Sequence, residues 1–220
     1  LNIGMANIIK TLTLPKTTLD IYEGPIGVMV SGGADSAILL CLLMKYNTGP
    51  IYVFTTGHVE KRCLNVVHAT KVIHKCMQLT GNSNILHRIN YCETSAGYRD
   101  AVSSVTEGTE DIITKYYSGI TANPPESVID TFVKTPISAG IDITRDPMTT
   151  YPTLKYDKLY QPWINIDKSV IAKIYDMNNL RELFAVTRSC ECFHAEDEPT
   201  IHCGECWWCQ ERQWGFGSLV

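Results

Sequence analysis

An α/β fold, Rossmann-like, with a parallel sheet flanked by helices and a metal-binding C-terminal segment, is what this sequence predicts. Three observations predict it. Apolar, β-branched and aromatic runs at 26–30, 51–55 and 85–89 alternate with helical stretches at 37–45 and 60–78, and such alternation builds parallel sheets with right-handed crossovers. The first of these strands breaks at Ser31-Gly32-Gly33 and passes directly into a helix. Cysteines crowd the end of the chain, as Cys203-Gly-Glu-Cys206-Trp-Trp-Cys209 with Cys190 and Cys192 a short loop upstream.

Residues 1–24 carry alternating threonines and isoleucines with Pro15, and read as a leading arm or edge strand. The α/β domain then spans 25–188 and the cysteine segment 189–220. The run 26–30 is the first core strand. Residues 37–45 are apolar nearly all round, as in a helix buried on two sides, and Gly49-Pro50 breaks it. The run 51–55 is the second strand. Leu64, Val67, His68, Lys71, Val72, Lys75 and Cys76 recur at helical spacing until Gly81-Asn82. The third strand is 85–89. Residues 98–117 read as a polar helix, and 119–123 as a short strand ended by Pro124-Pro125. Residues 136–162 form a long connection with four prolines. Residues 167–176 form a short helix with Asp167 as its cap.

With 220 residues, 45% of them hydrophobic, the chain has material for one sizeable core. A formal net charge of −4 disfavours extended nucleic-acid binding, and no apolar run reaches membrane-spanning length. Nine cysteines, an odd number clustered late, argue for a metal site in a cytoplasmic setting over a disulfide framework.

The strand–glycine–helix junction is an anion cradle. Glycines let the backbone approach phosphate oxygens, and the free amides and positive end of the helix dipole face the charge. Ser31 and Ser36 add hydroxyl donors, and Asp35 is placed to cap the helix or reach a metal. Thr55, ending the second strand, belongs to the same carboxyl edge of the sheet, where nucleotides bind in folds of this kind. The loop is not a Walker P-loop, because the Gly-Lys-Ser/Thr ending is missing.

The two overlapping Cys-x-x-Cys pairs give three thiolates, and an upstream residue completes a tetrahedron for zinc. Cys190, Cys192, His194 and His202 are candidates for the fourth position. A four-thiolate shell leaves no open position, so the zinc is expected to be structural. Cys41, Cys63, Cys76 and Cys92 are scattered and read as core residues. His58, Glu60, Arg99 and Arg145 fall on loops or element ends, where solvated side chains are the ordinary outcome.

Ser31-Gly32-Gly33-Ala34-Asp35-Ser36 resembles the SGGxDS loop of the PP-loop ATP pyrophosphatase superfamily. Ser189-Cys190 followed by Cys203-Gly-Glu-Cys206-Trp-Trp-Cys209-Gln-Glu-Arg212 resembles the tail of one branch, the 7-cyano-7-deazaguanine (preQ0) synthases of the QueC (ExsB) family. Gln161-Pro162-Trp163-Ile164-Asn165-Ile166-Asp167-Lys168 is similar to their Pro-hydrophobic-x-hydrophobic-x-Lys segment. The resemblance implies an adenine nucleotide alpha hydrolase-like fold with a zinc-binding tail. It implies ATP and Mg²⁺ at Ser31, Gly32, Gly33, Ala34, Asp35, Ser36 and Lys168, with Asp35 and Lys168 acting in catalysis and Lys168 neutralising phosphates, and the strand-end position of Thr55 adds it to the expected ATP-binding set. It selects Cys190 over Cys192 to join Cys203, Cys206 and Cys209 around zinc. It further implies an AMP-forming ligase that converts 7-carboxy-7-deazaguanine and ammonia into the amide and then the nitrile, in members that are often homodimers. The family's substrate segment, expected after Asn123, is replaced by Pro124-Pro125-Glu126-Ser127-Val128-Ile129-Asp130.

Overall fold

The computed structural model of the chain describes residues 7–59, 64–93, 98–134, 152–155, 158–190 and 202–220. Strands β1 (Ile8–Leu14) and β2 (Thr17–Tyr22) form an antiparallel hairpin around Pro15-Lys16. The expected leading arm or edge strand is thus a ribbon of its own, separate from the main sheet. Tyrosines anchor it: the Tyr117 hydroxyl donates to Asp20 O at 2.9 Å and accepts from Tyr22 N at 3.1 Å.

The main domain follows as β3 (Ile26–Met29), α1 (Ala34–Tyr46), β4 (Ile51–His58), α2 (Leu64–Thr80), β5 (Ile85–Cys92), α3 (Tyr98–Ser104), β6 (Lys115–Tyr117), α4 (Glu126–Ile129), β7 (Thr153–Lys155), β8 (Leu159–Gln161), α5 (Lys168–Met177), α6 (Arg181–Phe184) and α7 (Trp207–Phe216). The six strands lie in the order β5-β4-β3-β6-β8-β7. The first five are parallel, and β7 runs antiparallel along β8. From β3 the chain winds outward through β4 and β5, then returns to β6 on the other side. The crossovers therefore diverge between β3 and β6, and a crevice opens at the carboxyl ends of those two strands.

Helix α1 explains its all-round apolar sequence. Ten of its residues are buried, held between the sheet and helices α2, α5 and α6. The core runs through Ile26, Val28, Ile38, Leu39, Ile51, Val53, Val72, Ile171 and Ile174. Asp167 caps α5 as its sequence suggests, accepting from Ser169 N and Val170 N, a cap worth ~1 kcal/mol.

Three expectations shift. The helix in 98–117 stops at Ser104; turns and Gly108, at φ +74°, lead into β6, whose Lys-Tyr-Tyr is the next core strand. Residues 119–123 are accordingly not a strand, because the last ladder bond on that side is Ser118 N to Tyr160 O and the chain then turns onto α1. The 136–162 connection contributes β7 and β8 to the sheet, while 135–151 lies outside the described residues. No helix among the described residues is long and apolar enough to cross a membrane.

Candidate nucleotide site and metal centre

Strand β3 ends where Val30 N donates to Phe54 O. Gly32 then takes φ +86°, and a Cβ there would lie 2.4 Å from His68 Cβ and 2.8 Å from Ala69 N. The loop therefore rests directly on α2, which only glycine permits. Gly33 is the N-cap of α1 and has no side chain to cap with. Its carbonyl accepts from Ala37 N and from Ser36 Oγ, and its amide donates to Ser31 Oγ at 3.4 Å. Asp35 is not the cap; it stands in the first turn and its carboxylate turns to Lys168. The result is a 13-residue helix whose N-terminus faces the crevice without a side-chain cap, a favourable place for an anion.

A cavity of about 330 Å³ opens there. Of the residues expected to bind nucleotide, Ser31, Gly33, Asp35, Ser36 and Lys168 line it. Gly32 and Ala34 shape the loop from behind, and the Ala34 carbonyl accepts from the Tyr175 hydroxyl at 2.7 Å. Thr55 departs from expectation. It is buried with its hydroxyl donating to Val30 O at 2.8 Å, and Thr56 lines the cavity instead. Successive strand residues face opposite sides, so Thr56 and not Thr55 faces the cavity. Gly119 lets the chain after β6 press on the first turn of α1, since a Cβ there would lie 3.0 Å from Ser36 N.

Lys168 is 4% exposed. Its ammonium pairs with Asp35 Oδ2 and lies 3.7 Å from Glu211 Oε2, and Glu211 is itself fully buried. Asp35 Oδ1 is buried and without a hydrogen-bond partner. An orphaned carboxylate oxygen beside an uncapped helix N-terminus suits Mg²⁺, which is commonly held by one or two carboxylates plus substrate phosphates.

The sulfurs of Cys190, Cys203, Cys206 and Cys209 lie within 4.8 Å of one another. Thiolates ~2.3 Å from a tetrahedral zinc stand about 3.8 Å apart, and Cys203 and Cys209 are 3.9 Å apart. Gly204, at φ +77°, lets the turn fold back so that Glu205 N and Cys206 N donate to Cys203 Sγ. Hydrogen bonding with Cys190 raises the Cys206 thiol to about 12, and Cys209 is raised as well. By number and spacing, the four sulfurs suit a thiophilic divalent cation. His202 sits against Cys209, with Nδ1 3.7 Å from its sulfur. Cys192, His194, Glu60, Arg145 and Cys63 lie outside the described residues, as do the side chains of His58 and Arg99. Cys41, Cys76 and Cys92 are buried.

The four-cysteine cluster is not remote from the cavity, because Cys190 and Trp208 form part of the cavity wall. Two arginines make the connection. Arg188 lines the cavity and its amide donates to Gly32 O at 2.9 Å. Arg212 is fully buried and ties α7 to the strap before Cys190, donating to Phe184 O, Thr187 Oγ1 and Ser189 Oγ and stacking 3.8 Å over the Phe184 ring. Burial lowers its guanidinium to about 10. Arg188 was not singled out from the sequence, although its place beside Ser189-Cys190 was a usable signal.

Disruption of the four-cysteine cluster has two expected effects. Cys206→Ser, or a strong chelator, lowers stability by ~4 kcal/mol, which is roughly 8–16 °C in thermal midpoint for a chain of this length. It is also expected to loosen the 188–190 strap and so to weaken any ATP binding at the cavity. Calorimetric melting with metal analysis checks the first effect and ATP titration the second.

Residues 21–77, from β2 through most of α2, match the family model described as asparagine synthase. No curated protein matches the chain. Among solved structures the chain is similar to NMN synthetase from Francisella tularensis, at 13% identity and a TM-score of 0.47, over 90% of this chain and 79% of that one. It is similar to NH3-dependent NAD synthetase from Campylobacter jejuni in complex with nitrate, at 14% identity and a TM-score of 0.44, over 73% of this chain and 66% of that one. It is also similar to the U34-tRNA thiolase NcsA from Methanococcus maripaludis with its 4Fe-4S cluster, at 13% identity and a TM-score of 0.44, over 88% and 70%.

Proposed function

We propose that this chain is a PP-loop ATP pyrophosphatase that adenylates a carboxylate and passes it to ammonia, with 7-carboxy-7-deazaguanine as substrate and the nitrile preQ0 as product. One observation carries the reading: the uncapped start of α1, the Ser31 and Ser36 side chains and the buried ammonium of Lys168 all converge on one cavity at the sheet's switch point. The match of 21–77 to an asparagine synthase family model supports ATP chemistry at the same loop. The Ser189-Cys190 and Cys203–Arg212 pattern supports the choice of branch.

A carboxylate resists nucleophiles because of its own charge. In the proposed reaction its oxygen attacks the α-phosphorus of ATP and pyrophosphate leaves, giving a mixed anhydride. Ammonia then attacks the carbonyl carbon, AMP departs, and the added nitrogen loses a proton to give the amide. For the nitrile, the amide oxygen attacks the α-phosphorus of a second ATP, and loss of both N–H protons with departure of AMP leaves the triple bond. The loop amides and the Ser31 and Ser36 hydroxyls orient the triphosphate. Lys168, itself buried, offsets charge as pyrophosphate leaves. Asp35 would hold Mg²⁺, which when bound supplies further offset to the same charge. Cys190, Cys203, Cys206 and Cys209 would hold zinc as a brace.

Residues 124–130 favour a second reading, an AMP-forming ligase of the same superfamily acting on another carboxylate. They form Pro-Pro and the short helix α4 where the family's substrate segment is expected. Incubation with ATP, Mg²⁺, ammonium and 7-carboxy-7-deazaguanine, followed for AMP and nitrile by mass spectrometry, separates the two. AMP with nitrile is expected. AMP without nitrile moves the assignment to the second reading, and binding of ATP without AMP under any acceptor overturns both.

A further inference from the structure

Lys168 has two carboxylates within reach, and they differ in what a ligand can do to them. Asp35 borders the cavity, its side chain 19% exposed and its Oδ1 unpartnered. Glu211 is fully buried on α7 and does not border the cavity. A buried ammonium is strongly disfavoured without a counter-charge. If Asp35 were its sole partner, a cation recruited to Asp35 would strand the lysine. Glu211 removes that conflict.

Its position is held by close packing. Gly215 stands four residues later on the same face of α7, and a Cβ there would lie 2.6 Å from Lys168 Cβ. Glycine thus lets α7 approach α5 closely enough for Glu211 to reach the ammonium.

We propose that Glu211 is a positioning residue: it holds the Lys168 ammonium in place at the cavity while Asp35 is released to a divalent cation arriving with the nucleotide. This rests on the reading of the cavity as an ATP site. Glu211 touches neither nucleotide nor reacting atoms, and acts through Lys168.

Calorimetric titration of the intact chain with ATP in the presence and absence of Mg²⁺ tests it. Glu211→Gln keeps the shape and removes the charge, so Lys168 stays committed to Asp35. The Mg²⁺-dependent gain in ATP affinity is expected to shrink about tenfold, while metal-free ATP binds within threefold of wild type. Glu211→Asp is expected to recover most of the gain. A purely structural role weakens both forms of ATP alike, and that result, or an unchanged Mg²⁺ gain, overturns the proposal. If Glu211→Gln fails to fold by circular dichroism, Glu211→Asp decides: a smaller loss confined to MgATP supports the role, and equal losses refute it. A wild-type chain that binds MgATP but forms no AMP removes the ligase assignment and leaves this measurement standing. A wild-type chain that binds no ATP removes both.

Discussion

Lys168→Met is expected to reduce AMP formation by about 10²–10³-fold, the usual effect of deleting one preorganised donor at developing charge. The ammonium is placed beforehand by α5, whose start is fixed by the Asp167 cap and by the contact with Gly215. Nothing mobile can substitute for it, because Lys168 is 4% exposed and water has little access. The variant also leaves Asp35 and Glu211 without their shared cation. Breaking a buried pair in this way costs ~3–5 kcal/mol, so a fall in thermal midpoint is expected beside the fall in rate. The two effects separate in Lys168→Met combined with Glu211→Leu. That double variant replaces the two most deeply buried charges with apolar side chains and leaves Asp35, at the cavity edge, unpaired, so it is expected to regain the part of the stability lost at Glu211 but none of the rate. Steady-state AMP release and differential scanning calorimetry on both proteins make the check. A single variant that retains a rate within tenfold of wild type would remove Lys168 from the reaction.

Gly32→Ala is the second large effect. Two penalties act at once: an L-residue at φ +86°, and a Cβ that must push against the α2 backbone at Ala69 N. Together they are expected to cost ~3 kcal/mol, or roughly 6–12 °C, and to weaken ATP binding more than tenfold as the cradle is displaced. Gly81 supplies the control. It has φ +70°, but a Cβ added there would meet nothing within 4 Å, so Gly81→Ala should lose only the left-handed strain, about 1–2 kcal/mol. Equal melting of the two variants would mean that the contact with α2 contributes nothing.

The parts of the fold written in local chemistry were the legible ones. A β-branched run, two glycines and an apolar helix are neighbours in the chain, so β3, the loop and α1 could be read together. The thiols of Cys203, Cys206 and Cys209 likewise share one turn. What required tertiary packing was harder to see. Lys168 opens a helix, where lysines are ordinarily solvated, and its burial follows from α7 lying across it. Glu211 looked like any polar residue between Cys209 and Arg212; its role depends on the missing side chain of Gly215. Thr55 and Thr56 differ only in the phase of a strand, which the flanking apolar residues, Val53 and Phe54, do not settle because both faces are covered. Strand β6 was hidden because three residues are too few to show a period.

The bond from Arg188 N to Gly32 O, with Arg212 holding the same strap, bears on how the protein comes into being. The glycine loop is translated before the strap that bonds to it. At ~5–20 residues per second, a nascent chain exposes the finished loop for some seconds before Arg188, and later α7, can close over it. Any nucleotide capture at this loop is therefore expected to wait until Arg188 and α7 have left the ribosome, a delay that stalled chains of graded length would reveal.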